Sequence, residues 1–488
     1  MNHQPFRYLP PLLFVASVVC SQPVAAQGQA FSSSPGQPAR SAPLSAPPGS
    51  FLGGVPSGTP TGTIETITLA TALRRALEHN LGVLTAEQNF GKAQGARWRV
   101  LSELLPIVYG RVGETRQTIN LAAFGFGGGS GSPFGDLPTI VGPFNVFDAR
   151  IVLSQSVLDF GALNSARAEA HNVEAARLTF KSARDYVISV AGTLYVQALA
   201  ASARADAARA QQQTAQALHT QALDLKQSGL VAGIDVLRAE VQLSTQMQRA
   251  TIAANDFEKT KLQLARAIGL PLGQRFELDP ALPDLPAADL SIDAAVALAY
   301  TTRPDYQAAL ERVSAAEAFR RSVAGEAMPS VRVNADYGTI GLSPADSRAT
   351  FAVTGAVNVP IFQGGRTRGR LLEADADIRN RHAEADDLKA SIYYDVRTAF
   401  LDLDATAKQL TLAGKTRDLA TQQLTQARDR FAAGIASNIE VVQAQDTVAI
   451  ATEQFIAAQY GYDLAKGALV RGVGPTDDLL RLLLGGSR

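Results

Sequence analysis

The chain has 488 residues, enough for a large core, and by length alone it predicts two to four ordinary domains. Lysine plus arginine and aspartate plus glutamate both count 45, so the formal charge is zero. No basic field draws the chain to phosphate backbones, which excludes nucleic acid as a partner class.

Arg7 precedes an apolar run from Leu12 to Ala16, and Val24-Ala25-Ala26 offers the small residues that signal peptidase takes. Residues 1–26 therefore predict a signal peptide cleaved near Ala26, taking with it Cys20, the one cysteine in the chain. Val18-Val19-Cys20 also resembles a lipobox, although Val19 is bulky where a small residue is wanted. Residues 27–62 are rich in serine, proline and glycine, too poor in large apolar groups to offset the entropy of ordering, and predict a disordered leader.

From Ile64 onward the texture is alanine-rich and helical. Aligned with itself, the chain is duplicated: Thr68–Pro106 matches Ser291–Pro329 at a constant offset of 223 residues, and from Thr193 onward the offset is 205. At Val157–Gly161, facing Ile361–Gly365, the offset is 204, so a 19-residue insertion in the glycine-rich segment 124–143 accounts for the change up to that point. A repeat of this period is a duplicated domain-sized unit and not a solenoid. The predicted plan is a first repeat at 63–270, a linker at 271–290, a second repeat at 291–474 and a tail at 475–488.

Each repeat reads helix, helix, strand, loop, strand, then two long helices. The predicted strands lie at about 107–119, 147–158, 331–340 and 351–361. The predicted long helices are 162–228, 234–268, 366–432 and 438–470. The two longest contain no proline and at 1.5 Å per residue each reach roughly 100 Å.

Downstream of the signal peptide the sequence shows no stretch of 18 apolar residues to cross a bilayer as a helix, so a membrane crossing falls to the strands. In the second repeat Val331, Val333, Ala335, Tyr337 and Thr339 alternate with Arg332, Asn334 and Asp336, and Phe351, Val353 and Val357 alternate with Ala352, Thr354 and Asn358. In the first, Phe147, Ile151, Leu153 and Val157 oppose Asp148, Arg150, Ser154 and Ser156. The first strand alternates poorly, with Arg111 and Glu114 of opposite parity, and its register stays open. A half-buried sheet in a soluble domain shows the same pattern. Four strands cannot close on themselves, because membrane barrels begin at about eight, so a membrane reading requires strands pooled from sister chains.

Several marks recur in order and in duplicate: Arg303-Pro304-Asp305, Pro106 and Pro329 before strands, Pro360-Ile361-Phe362-Gln363-Gly364-Gly365 after one, and the turns Ser228-Gly229-Leu230 and Ala433-Gly434-Ile435. From Thr68 to Gly474 the chain resembles the TolC family of outer-membrane efflux proteins. The resemblance implies a mainly α fold with a β-barrel share. Three duplicated protomers contribute four strands each to a 12-stranded barrel, and their coiled-coil helices form an α-barrel across the periplasm. The implied partners are two further copies of the chain, outer-membrane lipid, a periplasmic adaptor and an inner-membrane pump of the RND or ABC type.

Under the same resemblance Gly229, Leu230, Gly434 and Ile435 sit at adaptor-contacting tips, although a plain helix-hairpin turn reads alike. Glu440, with Gln443 and Asp235 nearby, falls at a pore constriction. Three copies of Glu440 would form a ring of like charge, and the competing reading is an exposed helical carboxylate. Asp235 and Arg238 are spaced to neutralise one another in part. The tip-closing arginine and tyrosine of the family fall on Ala436 and Phe431, so closure here is expected to depend on packing and other polar links. The barrel lumen falls to Arg332, Asn334, Asp336, Asn358, Asp148 and Arg150.

Chemistry is sparse. His79, His171, His219 and His382 do not cluster with carboxylates at ligand spacing, and no metal or cofactor is expected. The segment 125–131 lacks the Gly-Lys-Ser/Thr of a nucleotide loop and reads as an external loop. No nucleophile elbow is present, so an enzyme is not expected. The competing class is a periplasmic coiled-coil scaffold or adaptor without a barrel, which leaves the duplicated hairpins unexplained.

Overall fold

The structure, a computed structural model, describes residues 50–124, 138–229, 231–282, 291–433, 435 and 438–474. The expected signal peptide with Cys20, the glycine-rich loop at 125–137 and the tail at 475–488 lie outside them.

The first repeat contains β1 (Glu65–Ile67), α1 (Leu69–His79), α2 (Leu81–Leu101), β2 (Ile107–Asn120), β3 (Ile140–Leu158), α3 (Phe160–Gln227) and α4 (Gly233–Ala267). The second contains β4 (Phe276–Leu278), α5 (Ile292–Thr302), α6 (Pro304–Gly325), β5 (Ser330–Gly341), β6 (Arg348–Asn358), α7 (Arg366–Ala432) and α8 (Asn438–Val473). Helix lengths repeat pairwise: 11 and 11 residues for α1 and α5, 68 and 67 for α3 and α7, 35 and 36 for α4 and α8.

Local chemistry sets these boundaries. Thr68, Asp159 and Ser291 accept from the amides of Thr71, Ala162 and Ala294, each satisfying one orphan donor at a helix start. Pro304 occupies the first turn of α6, where its missing N–H costs nothing. Beside it Arg303 donates to Asp305 at 2.6 Å and to Asp395 at 3.4 Å. Burial works against the Arg303 charge, but the two carboxylates outweigh it and hold its pKa above the ordinary value.

Alanine lines the long-helix seams at seven-residue steps, as in Ala191, Ala198 and Ala205 of α3 or Ala420 and Ala427 of α7. That period winds helices into a left-handed supercoil, and the small side chain lets the axes approach. Packing runs α4 on α3, α3 on α8 and α8 on α7, leaving α4 and α7 outermost. Both carry exposed apolar groups, among them Leu237, Val241, Ile252 and Leu262 on α4 and Leu401, Leu412 and Leu419 on α7.

The main core surrounds the middle of α3, where Val187, Ile188, Tyr195 and Leu199 meet Leu73, Leu264, Ile268 and Phe276. Tyr195 is fully buried, and its hydroxyl lies 2.9 Å from the Ile67 carbonyl and 2.8 Å from that of Asp279. Tyr195→Phe leaves those carbonyls a donor short, and a loss of about 1–3 kcal/mol is expected. Burial, with a smaller push from Asp279, raises the phenol from 10.0 to about 12. The folded pKa exceeds the unfolded one, so this contribution is whole below pH 10.0 and fades as pH climbs to about 12. Denaturation midpoints measured from pH 9 to 12 should fall more steeply for wild type than for Tyr195→Phe.

Four expectations change. Residues 50–62, taken as disordered leader, are built onto the core: the Phe51 ring meets Tyr186 at 4.7 Å, and the Val55 amide bonds the His79 carbonyl at 2.8 Å. One aromatic anchor and backbone pairing outweigh the segment's low hydrophobicity. The stretch 271–290, taken as linker, contains β4, which pairs in parallel with β1.

An 18-residue window within α3 is apolar enough to cross a bilayer by length and composition, contrary to expectation, but half of it is buried inside the protein. Finally, β3 begins at Ile140 and not 147. Gly142-Pro143 reads as a strand breaker, yet Gly142 takes φ 121° and the register slips between Gln117 and Ile119 to accommodate it.

Candidate functional site

Strands β2, β3, β5 and β6 form one antiparallel sheet in that order, joining the hairpins of both repeats and leaving β2 and β6 as edges. Directly opposed residues share a face, so the register sorts every side chain. Asp148 lies opposite Ile340, Arg150 opposite Gly338, Ser154 opposite Asn334, Asp336 opposite Ala352, and Ser330 opposite Asn358. All six residues expected on the polar side, Asp148, Arg150, Arg332, Asn334, Asp336 and Asn358, share that face.

The register of the first strand, open in the sequence, is also fixed: Arg111 lies opposite Arg150 and joins the polar face, whereas Glu114 lies opposite Phe147. Glu114 is at the loop end, where its Oε1 accepts from Asn145 Nδ2 at 2.9 Å.

Arg150 organises the polar face. Its Nε donates to Asp148 at 2.6 Å and its Nη1 to Asp336 on the neighbouring strand at 3.0 Å. It reaches across because its opposite residue, Gly338, has no side chain in the way. Ser154 Oγ and Asn334 Oδ1 are 2.8 Å apart.

The other face carries Ala149, Ile151 and Leu153, then Val331, Val333, Ala335 and Tyr337, then Phe351, Val353 and Val357. Tyr337, Phe351, Val353 and Val357 are each more than 60% exposed, so nothing among the described residues covers this side. From Val331 to Thr339 it extends about 27 Å along the strand, or about 20 Å after a typical barrel tilt, close to the apolar band of an outer-membrane barrel.

The far ends of the long helices form the second region. Gly229 closes α3 with φ 75°, the left-handed turn that a side chain disfavours. Leu230 and Gly434 lie outside the described residues. Ile435 is exposed, and its amide donates to the Arg430 carbonyl at 2.9 Å. Glu440 opens α8 half-exposed, with its carboxylate 3.5 Å from Arg430 Nε, a partner the sequence reading did not find. Gln443 is exposed, and Asp235 pairs with Arg238 at 3.1 Å.

Phe431 is buried with Leu424, Ala427, Val441 and Ala444 against Leu218, Leu225 and Val231 of the first repeat, which joins the two hairpin ends through apolar packing. Ala436 lies outside the described residues.

Of the histidines, His171 Nδ1 meets Glu311 at 2.7 Å and His79 Nε2 meets Ser57 Oγ at 2.9 Å. Among the described residues no group of three or more His, Cys, Asp or Glu is placed to hold a metal ion.

Residues 283–474 match the model of the family described as outer membrane efflux protein. The chain is 23% identical over 338 residues to the pyoverdine export outer membrane protein OpmQ of Pseudomonas putida, covering 67% of this chain and 70% of that protein. It is 26% identical over 390 residues to the toluene efflux pump outer membrane protein TtgF of Pseudomonas putida, covering 76% of each. Its fold matches that of the Campylobacter jejuni CmeC outer membrane channel with a TM-score of 0.73 at 17% identity, over 83% of this chain and 85% of that one.

Proposed function

We propose, from the premise that this chain belongs to the outer membrane efflux protein family, that it is the outer-membrane channel of a tripartite efflux or type I secretion system. One observation carries the reading: a sheet with one exposed apolar face and one polar face, open at both edges, continues directly into helices 68 and 67 residues long. In lipid every backbone group of an edge strand needs a partner, so β6 of one copy pairs with β2 of the next until the ring closes. Three copies give twelve strands. The same closure covers the apolar edges of α4 and α7, a head-to-tail contact that ends in a ring.

The polar face then lines the barrel lumen, and the passage continues between the helices to the tips at Gly229 and Ile435, where a periplasmic adaptor docks and an inner-membrane pump supplies the energy. The chain is a passive conduit without a catalytic role. Glu440, with Gln443 and Asp235 nearby, lines the narrow end. Because Arg430 pairs with Glu440, the ring there carries little net charge.

The test uses purified full-length protein. Native mass spectrometry in detergent should give three copies, and the membrane-bound form should stay with the outer-membrane fraction through salt and carbonate washing. Planar bilayers should show ion conductance. Glu440→Ala should then shift the zero-current potential toward anion preference, and Arg430→Ala toward cation preference. A freely soluble monomer would overturn the channel, while identical potentials in both variants would remove only the constriction role.

A further inference from the structure

The polar face of the sheet is not electrically neutral. Register places four arginines on it, Arg111, Arg150, Arg332 and Arg348, against two carboxylates, Asp148 and Asp336. Both carboxylates are engaged by Arg150. That trio carries one net negative charge, which Arg111, directly opposite Arg150, cancels at the middle of the sheet.

Arg332 and Arg348 remain, both exposed and neither with an acidic partner among the described residues. Arg332 lies near the helix end, opposite Ser156 and Ala356, and Arg348 lies at the loop end, opposite Ile340. The closest carboxylate to Arg348 in sequence, Asp346, is bonded to Ser343 Oγ at 2.6 Å.

Resting on the channel reading, we infer that the barrel segment selects for anions and that Arg332 is the residue that sets this preference, with Arg348 second. Three copies place a ring of uncompensated guanidinium groups where the helical passage opens into the barrel. A passage with low-dielectric walls concentrates the field of such a ring, and at about 0.1 M salt that field reaches about 10 Å. Pores lined with arginine or lysine rings favour anions for this reason. The cargo class it suits is solutes with carboxylate or phosphate groups, and cations meet a barrier at the same level. Because the Arg430–Glu440 pair neutralises the tip, the barrel charges dominate the fixed charge of the two regions described above.

The test is the zero-current potential of the full-length channel across a tenfold KCl gradient, centred on about 0.1 M and again on about 1 M. Wild type should pass chloride in preference to potassium, more so at the lower salt, where screening is weaker. Arg332→Gln should lower the chloride-to-potassium permeability ratio at least twofold, Arg332→Glu should lower it further, and Arg332→Lys should retain the wild-type ratio. Should Arg332→Gln fail to insert, Arg348→Gln gives the same reading from the other end of the barrel. A conducting wild type with the same ratio as Arg332→Gln would overturn this inference and leave the channel standing. A wild type that does not conduct would overturn the channel reading itself.

Discussion

Val353→Arg is expected to abolish assembly in the outer membrane, whereas Thr354→Arg, one residue further along the same strand, is expected to leave it intact. Val353 lies opposite Ala335 on the apolar face and Thr354 opposite Asn334 on the polar one. An arginine facing lipid near the bilayer midplane costs about 2–4 kcal/mol, and the proposed three-copy ring would bear that cost three times over. Facing the lumen, the same side chain meets water and joins a surface already furnished with arginines. Density-gradient fractionation and the oligomer band on unheated gels read the outcome. Equal behaviour of the two variants would mean that this face meets protein and not lipid.

The second large effect is expected at the opposite end. Phe431→Ala removes a ring that is 8% exposed and that packs α7 and α8 onto the end of α3 through Leu218 and Leu225. Emptying such a site costs about 3–5 kcal/mol when the surroundings cannot collapse, and helix ends beside a turn have little else to hold them. Hydrogen exchange should accelerate in peptides covering 218–228 and 424–448, and resting current in bilayers should rise. Unchanged exchange would show that the tips are held by polar links such as Arg430–Glu440, leaving the aromatic ring without a part in closure.

How much of this was legible from the residues varies with the physics of each element. β5 and β6 declared themselves because one side of each carries no charge and is mostly apolar, Val331, Val333, Ala335 and Tyr337 on β5 and Phe351, Val353 and Val357 on β6. β2 did not, because Gly110 and Gly113 carry no side-chain signal and Glu114 lies beyond the apolar band, where a carboxylate costs little. Arg348 was missed for a related reason: the strand starts three residues before the first aromatic, Phe351, that marks it.

The early part of β3 hid behind Gly142-Pro143, whose breaker character is absorbed by a partner-strand irregularity that one strand's sequence does not contain. β1 and β4 are three residues each, too short for a period, and exist because the fold brings together partners 211 positions apart in the chain. At the tips, the spacing of Glu440 was readable but its neutralisation was not. Arg430 precedes it by ten residues, and only the reversal of chain direction at the turn brings the two side chains within 3.5 Å.

The unpaired borders of the four-stranded sheet carry a genetic consequence. A protomer whose β2 or β6 border is spoiled while the other stays sound can still join a growing assembly by its good side, and then blocks completion for the normal copies beside it. If damaged and normal chains were made in equal amounts and mixed freely, only about one in eight of the proposed three-copy assemblies would be built entirely from normal chains. Lesions confined to one border are therefore expected to behave as dominant, while a chain that never folds is lost without harming its siblings.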